Sequence, residues 1–280
     1  MTTWFITGAS RGFGLEIARQ ALEQGHNVVA TARDPRPLRG TLAGHGDRVL
    51  AVPLDVDDER QAKAAVDAAV ERFGAIDVLV NNAGRGLLGA VEETSDAEAR
   101  AVFDTNVFGL LTVTRAVLPV MRAQRSGRIV NLSSVGGFVG WAGWGLYCAT
   151  KFSVEAVTEA LRLELAPLGI QATSIEPGPF RTDFLDSSSL HRTERVIDDY
   201  EASSGGMRAW ADDSNHAQDG DPVKAAAAII TVVAAERMPA RVPLGKASVS
   251  DVENKLAEVA RDIDAWREVA LSTDFAPSAS

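Results

Sequence analysis

Short apolar runs rich in β-branched residues alternate along the chain with longer stretches in which apolar residues recur at helical spacing. Thr3–Thr7, Asn27–Ala32, Val49–Leu54, Val78–Asn81, Arg128–Leu132 and Gln171–Ile175 read as strands. Their nearly continuous apolar character predicts a parallel sheet buried on both faces. Gly14–Gln24, Asp58–Phe73, Ala97–Ala123 (with a break inside it) and Tyr147–Ala166 read as helices. In the second, Ala62, Val66, Ala69 and Phe73 put one apolar stripe against the sheet. Strands alternating with helices predict one doubly wound α/β domain over residues 1–280, mostly parallel, with helices on both faces. Two regions depart from this rhythm. Phe180–Gly220, rich in Ser, Asp and Gly, reads as a lid over a ligand. A C-terminal extension, 237–280, carries a strand-like Ala240–Leu244, a helical Asp251–Ala270 and a small-residue end expected to fray.

Composition narrows the chemistry. A chain of 280 residues buries a sizeable core without staples. A single cysteine, Cys148, excludes an intrachain disulfide and a multi-cysteine zinc site, and His26, His45, His191 and His216 lack metal-ligand spacing, so no metal is expected. Lys plus Arg number 28 against 38 Asp plus Glu, a formal charge of −10 that argues against nucleic-acid binding. The apolar start, Trp4-Phe5-Ile6, is too short for a secretory core, and no stretch suggests a membrane span. A cytoplasmic protein is the expectation.

The first strand runs into Thr7-Gly8-Ala9-Ser10-Arg11-Gly12-Phe13-Gly14, followed by an amphipathic helix. Glycines there permit a tight turn and close approach of the backbone to a pyrophosphate, which the helix N-terminus attracts. The second strand ends Ala32-Arg33-Asp34-Pro35. A fold that reads a ribose 2′-hydroxyl places an acid at the end of this strand. Here Ala32 takes that position, and Arg33 with Arg11 is expected to clamp a 2′-phosphate. Asp34 would repel that phosphate if it pointed inward, but before Pro35 it reads as a turn former. NADP(H) is therefore favoured over NAD(H). Asp55 and Val56 end the third strand, where a carboxylate suits an adenine amino group. Asn82, Ala83 and Gly84, ending the fourth, let the backbone lie against a ribose.

Tyr147 and Lys151 stand four residues apart on one helical face. A nearby ammonium is expected to lower the phenol pKa towards neutrality, giving a proton carrier for a substrate oxygen. Ser134, at the carboxyl end of a strand, is placed to donate a hydrogen bond to that oxygen. Asn106 falls where a helical pattern falters, and its amide is placed to hold a water linking Lys151 to solvent.

Taken together, TGxxxGxG at Thr7–Gly14, NNAG at Asn81–Gly84, Asn106, Ser134, YxxxK at Tyr147–Lys151, and Pro177-Gly178 followed by Thr182 resemble the short-chain dehydrogenase/reductase family in its compact, Rossmann-type form. The resemblance implies Tyr147 as acid/base, Ser134 as carbonyl donor, Lys151 on the nicotinamide ribose, and Asn106 holding a relay water. It also implies Pro177, Gly178 and Thr182 along the nicotinamide, and a homodimer or homotetramer paired through the YxxxK helix and the helix before it. Phe138, Trp141, Trp144, Phe180 and Phe184 suggest an apolar pocket for a small carbonyl or alcohol substrate. The reading is an NADP(H)-dependent carbonyl reductase. An NAD-linked alcohol dehydrogenase and a non-catalytic NADP(H)-binding scaffold are the alternatives.

Overall fold

A computed structural model describes residues 1–275. In chain order the elements are β1 (Thr3–Ile6), α1 (Gly12–Glu23), β2 (Asn27–Ala32), α2 (Arg36–Thr41), β3 (Val49–Pro53), α3 (Glu59–Phe73), β4 (Val78–Asn81) and β5 (Gly86–Leu88). Then come α4 (Asp96–Phe103), α5 (Leu110–Gln124), β6 (Gly127–Leu132), α6 (Gly145–Leu165), β7 (Ile170–Pro177), β8 (Leu190–Arg192), α7 (Gly206–Ser214), α8 (Pro222–Ala234), β9 (Arg241–Leu244) and α9 (Lys246–Leu271).

Seven strands form one parallel sheet in the order β3-β2-β1-β4-β6-β7-β9. Side chains alternate between two cores, as strand geometry requires. Trp4, Ile6, Val28, Ala30, Val78, Val80 and Val130 meet Ile17 and Leu22 of α1 and Ile229 and Val233 of α8. Phe5, Val29, Leu79 and Ile129 meet Ala62 and Val66 of α3, Val113 and Val117 of α5, and Leu161 of α6. Both faces are therefore apolar, which is why the strands lack a polar-out alternation. The strand order reverses between β1 and β4, so the crevice for a ligand opens at their carboxyl ends.

The expected break in Ala97–Ala123 is a π-helical turn at Asp104–Gly109 between α4 and α5. A β-carbon on Gly109 would lie 2.5 Å from Val56 Cγ2, so this turn presses onto the end of β3. The run Asp96–Gln124 is, by length and composition, apolar enough to cross a membrane, contrary to the expectation that no stretch is. Its apolar side is spent on the second core, where Val113, Val117 and Met121 are buried.

The segment expected as a lid (the lid segment) is built rather than irregular: β8 pairs in parallel with β5, and α7 follows. The pattern named no element at Pro222–Ala234, yet α8 is capped by Asp221, whose carboxylate accepts from Val223 N and Lys224 N. The helix expected at Asp251–Ala270 starts five residues earlier, at Lys246. The fraying end falls largely in residues 276–280, outside the described residues.

Candidate active site

One cavity of about 830 Å³ runs along the carboxyl ends of the strands. At one end lie Gly8, Ser10, Arg11, Gly12 and Phe13, with Arg33, Asp55, Val56, Asn82, Ala83 and Gly84 beside them. The glycine loop is shaped from within. Gly8 has a φ of +62°, and a β-carbon there would sit 3.0 Å from Ala83 Cα. At Gly14 it would sit 2.5 Å from Asn82 Nδ2, so this residue serves the packing of α1 on the sheet and does not line the cavity. Arg11 caps α1 without a side-chain hydrogen bond, leaving the first amides of the helix for an anion. Asn82 braces the loop: its Nδ2 donates to Thr7 O (2.9 Å) and Gly8 O (3.0 Å). Thr7 Oγ1 accepts from the amides of Asn82 and Ala83. Left-handed glycine, uncapped helix start and braced loop make a cradle that suits a dinucleotide pyrophosphate.

Arg33 is exposed and lines the cavity. Asp34 turns away from it: its carboxylate accepts from Arg36 Nε at 2.9 and 3.1 Å, from Arg36 Nη2 at 2.8 Å and from Arg36 N at 3.0 Å. The Arg36 side chain, first of these partners, holds the Asp34 carboxyl down to about 2. Arg11 does not join Arg33 in a clamp as expected. Its guanidinium is drawn across to the lid, donating to Ser188 Oγ (2.8 Å), Ser188 O (3.0 Å) and Ser189 Oγ (2.8 Å).

Ser134, Tyr147 and Lys151 converge farther along the same cavity. Ser134 follows β6, and Tyr147 lies in the first turn of α6. A β-carbon on Gly136 would lie 3.4 Å from both Ser134 Oγ and a Tyr147 ring carbon, which places hydroxyl and phenol on one wall. Ser134 Oγ accepts from Gly136 N (3.0 Å), so its own proton remains to donate. Ser133 Oγ instead faces the backbone of α6, since a β-carbon on Gly137 would lie 2.6 Å from it and 3.0 Å from Lys151 O.

The phenol is not lowered as expected. Burial pushes Tyr147 up, against the pull of the Ser134 hydroxyl, and burial pushes Lys151 down to about 8, against the pull of Glu155. The reason is geometric. Lys151 Nζ donates to Leu132 O at 2.7 Å and stands 5.8 Å from the centre of the Tyr147 ring. Removing both groups from water disfavours each charged form more than that separation favours it.

Asn106 is buried in the π turn but does not line the cavity. Its amide is engaged by the fold: Oδ1 accepts from Arg85 N (2.8 Å), and Nδ2 donates to Arg85 O (2.9 Å) and Thr150 Oγ1 (3.0 Å). The amide therefore clamps the segment after β4 onto α6. The clamp sits beside the site, for a β-carbon on Gly84 would lie 3.2 Å from Asn106 Oδ1 and 3.8 Å from Lys151 Nζ.

Pro177, Gly178 and Thr182 line the cavity, and Thr182 comes up to Gly12. Of the expected apolar wall, Trp141, Trp144 and Phe184 surround the phenol: Trp144 lies edge-on to Tyr147 at 5.7 Å and Phe184 at 5.5 Å. Phe180 also lines the cavity, but it packs on Phe13 of the glycine loop at 5.2 Å. Phe138 does not reach the cavity. Arg241 covers its ring at 5.4 Å, and the same guanidinium meets buried Glu155 and Glu176 at 3.5 Å and exposed Glu159 at 2.6 Å. Burial, and then Glu155 beside it, push the Glu176 carboxyl above the usual range.

Several lining residues carried no sequence signal as site residues. His191 and Met207 come from the lid, and Ala247 and Asp251 from the start of α9. Their chain distance from every motif is the reason, and only the pairing of β8 with β5 and of β9 with β7 brings them in.

The sequence matches the short chain dehydrogenase family model over residues 2–193. It is 38% identical over 241 residues to a 3-ketodihydrosphingosine reductase of Bacteroides thetaiotaomicron, covering 86% of each chain. The fold is similar to that of a short-chain dehydrogenase from Streptomyces avermitilis, with a TM-score of 0.91, 39% identity and coverage of 98% of this chain and 100% of that one. It is also similar to a short-chain dehydrogenase/reductase from Burkholderia phymatum solved in complex with NAD, with a TM-score of 0.81, 26% identity and coverage of 100% and 98%.

Proposed function

The chain belongs to the short-chain dehydrogenase/reductase family of oxidoreductases, and from that premise we propose that it is an NADP(H)-dependent carbonyl reductase acting on an apolar ketone or aldehyde. One observation carries the reading. The Tyr147 phenol and the Ser134 hydroxyl share one wall of a cavity whose far end is a glycine loop flanked by an exposed arginine. A nicotinamide dinucleotide bound along that cavity supplies the hydride. The chain's own residues do the rest. Ser134 donates to the carbonyl oxygen and orients it. Tyr147, which burial keeps protonated at neutral pH, gives its proton to the same oxygen as charge develops there. Lys151, fixed by Leu132 O, is within reach of a ribose placed against Gly84.

Arg33 supports the choice of cofactor: with Asp34 engaged by Arg36, its guanidinium is left to meet a 2′-phosphate. Trp141, Trp144 and Phe184 exclude water and offer an apolar face, which suits a substrate with a hydrocarbon or ring body. The ketone-reducing relative from Bacteroides thetaiotaomicron favours the same direction.

The test is a panel of ketones and aldehydes with NADPH and with NADH, followed by cofactor binding to the wild type and Arg33→Ala. The expected result is turnover with NADPH on apolar ketones, and a loss of NADPH affinity of about 10- to 100-fold in the variant, the worth of one charge-assisted contact. NADH binding should be unchanged. A variant that keeps its preference for NADPH would remove the basis for that cofactor.

A further inference from the structure

The last helix is out of keeping with the rest of the molecule. Only its start is anchored: Ser248 Oγ donates to Glu176 O (2.7 Å), Gly178 lies under Ser248, and Asp251, Val252 and Lys255 are half-buried. Every residue from Leu256 to Leu271 is exposed. On this projecting rod Val249, Val252, Leu256, Val259, Ile263 and Trp266 are spaced by three and four residues in strict alternation. Ala270 continues the series through a third heptad. Leu256 is 55% exposed, Ile263 53% and Trp266 66%. A 3.5-residue repeat is the signature of a seam between supercoiled helices, whereas a helix lying on a globular core carries a wider apolar face of period 3.6.

We propose that α9 pairs with α9 of a second copy of this chain in a two-stranded coiled coil. Two further features point to that occupant. Asp262 and Arg267 flank the seam five residues apart with opposite charges, the placement that joins the edges of two parallel helices. The helix also carries six acidic and four basic side chains, so its outer face does not suit an anionic lipid surface, which would need a cationic one. Pairing here is separate from the α5–α6 face implied by the family resemblance. A chain using both faces would assemble as four copies.

The experiment is sedimentation equilibrium and light scattering on the full-length protein, comparing wild type with Val259→Glu/Ile263→Glu. Ala257→Glu/Ala265→Glu adds the same charge to the outer face and serves as control. The wild type is expected to show an even number of copies, the seam variant half that mass, and the control no change. All four positions are exposed, so the fold should hold, with cofactor binding as its check. Leu256→Ala/Trp266→Ala adds no charge and should raise the dissociation constant of the pair at least about tenfold. A monomeric wild type, or a seam variant of unchanged mass, overturns the proposal. So does a wild type that stays monomeric while floating with phosphatidylcholine–phosphatidylglycerol vesicles, which would make the apolar seam a lipid contact. None of these readings depends on turnover, so the assignment of activity stands or falls separately.

Discussion

The sheet and the lid meet around one cavity but are held in different ways. The sheet is fixed by apolar burial on both faces, where Phe5, Ile6, Val29, Val80 and Ile129 are fully buried. The segment over 180–220 has a smaller apolar footing, in Leu185, Leu190 and Ala211 with Phe184 and Met207 packed beside them and Phe180 on Phe13, and adds polar latches to it. The Glu93 carboxylate, wholly buried before α4, pairs with Arg208 of α7 at 2.8 Å and accepts from Ile197 N (2.9 Å) and Ala90 N (2.7 Å). His191 and Glu98 lie 3.1 Å apart, and Arg11 reaches Ser188 and Ser189. Apolar burial degrades gradually when one contact is lost. A buried polar latch does not, because the group left behind has given up water and gained nothing. The sheet should therefore yield little to the loss of any one contact, whereas the 180–220 segment should depend on a few polar latches.

The sharpest way to separate the halves is through chemistry alone. Tyr147→Phe should fold, bind cofactor as the wild type does, and lose about 10²- to 10⁴-fold in kcat, the worth of a positioned proton donor. Steady-state kinetics beside a cofactor titration checks this, and near-normal turnover would refute the assigned acid.

Arg208→Ala attacks the lid. Leaving Glu93 charged and unpaired should cost about 3–5 kcal/mol, expressed as local opening of 180–220 with the sheet intact. Hydrogen exchange resolved by segment measures it. Equal loss of protection in β1 and β4 would show that the two regions unfold as one and would break the comparison.

The smallest effect is the response to acid, where the two regions should move in opposite directions. Burial alone would raise Glu93, but Arg208 and the amides of Ile197 and Ala90 hold it down to about 2. Glu98 is likewise held to about 2 by Ser95, the Glu194 amide and His191, against burial. Both folded values lie below the ordinary 4.5, so their stabilisation is present above that pH and fades as pH falls towards 2. Glu176 is raised to about 7, so the folded state keeps its proton longer than the unfolded chain, and this contribution is lost as pH rises from 4.5 through about 7. Thermal midpoints against pH for wild type, Glu93→Gln and Glu176→Gln test the signs. Glu93→Gln should flatten the acid limb and Glu176→Gln the limb above it.

Legibility in the sequence followed the same division. Asn27–Ala32 and Val78–Asn81 are strands at the expected residues, and the break in Ala97–Ala123 is a real π turn. Local sequence suffices there, because buried parallel strands and a glycine loop constrain each residue type directly. Tyr147, Lys151 and Ser134 were equally legible as a set, since four-residue helical spacing and a strand end place them without reference to the rest of the chain. Arg11, Asn106 and Phe138 were not. What each side chain touches is set by Ser188, Arg85 and Arg241, which lie far away in sequence or on another element.

The sequence by itself determined the doubly wound sheet, the dinucleotide-type loop and the serine–tyrosine–lysine set, because each depends on periodicity or short spacing within an element or at its end. Only the tertiary structure decided which way Arg11 and Asp34 turn, that Asn106 clamps two segments, and that Tyr147 and Lys151 are shifted by burial against their charged forms. Those outcomes depend on the water each group has lost and on the partner it meets in the fold, quantities that come into being only when distant segments are brought together.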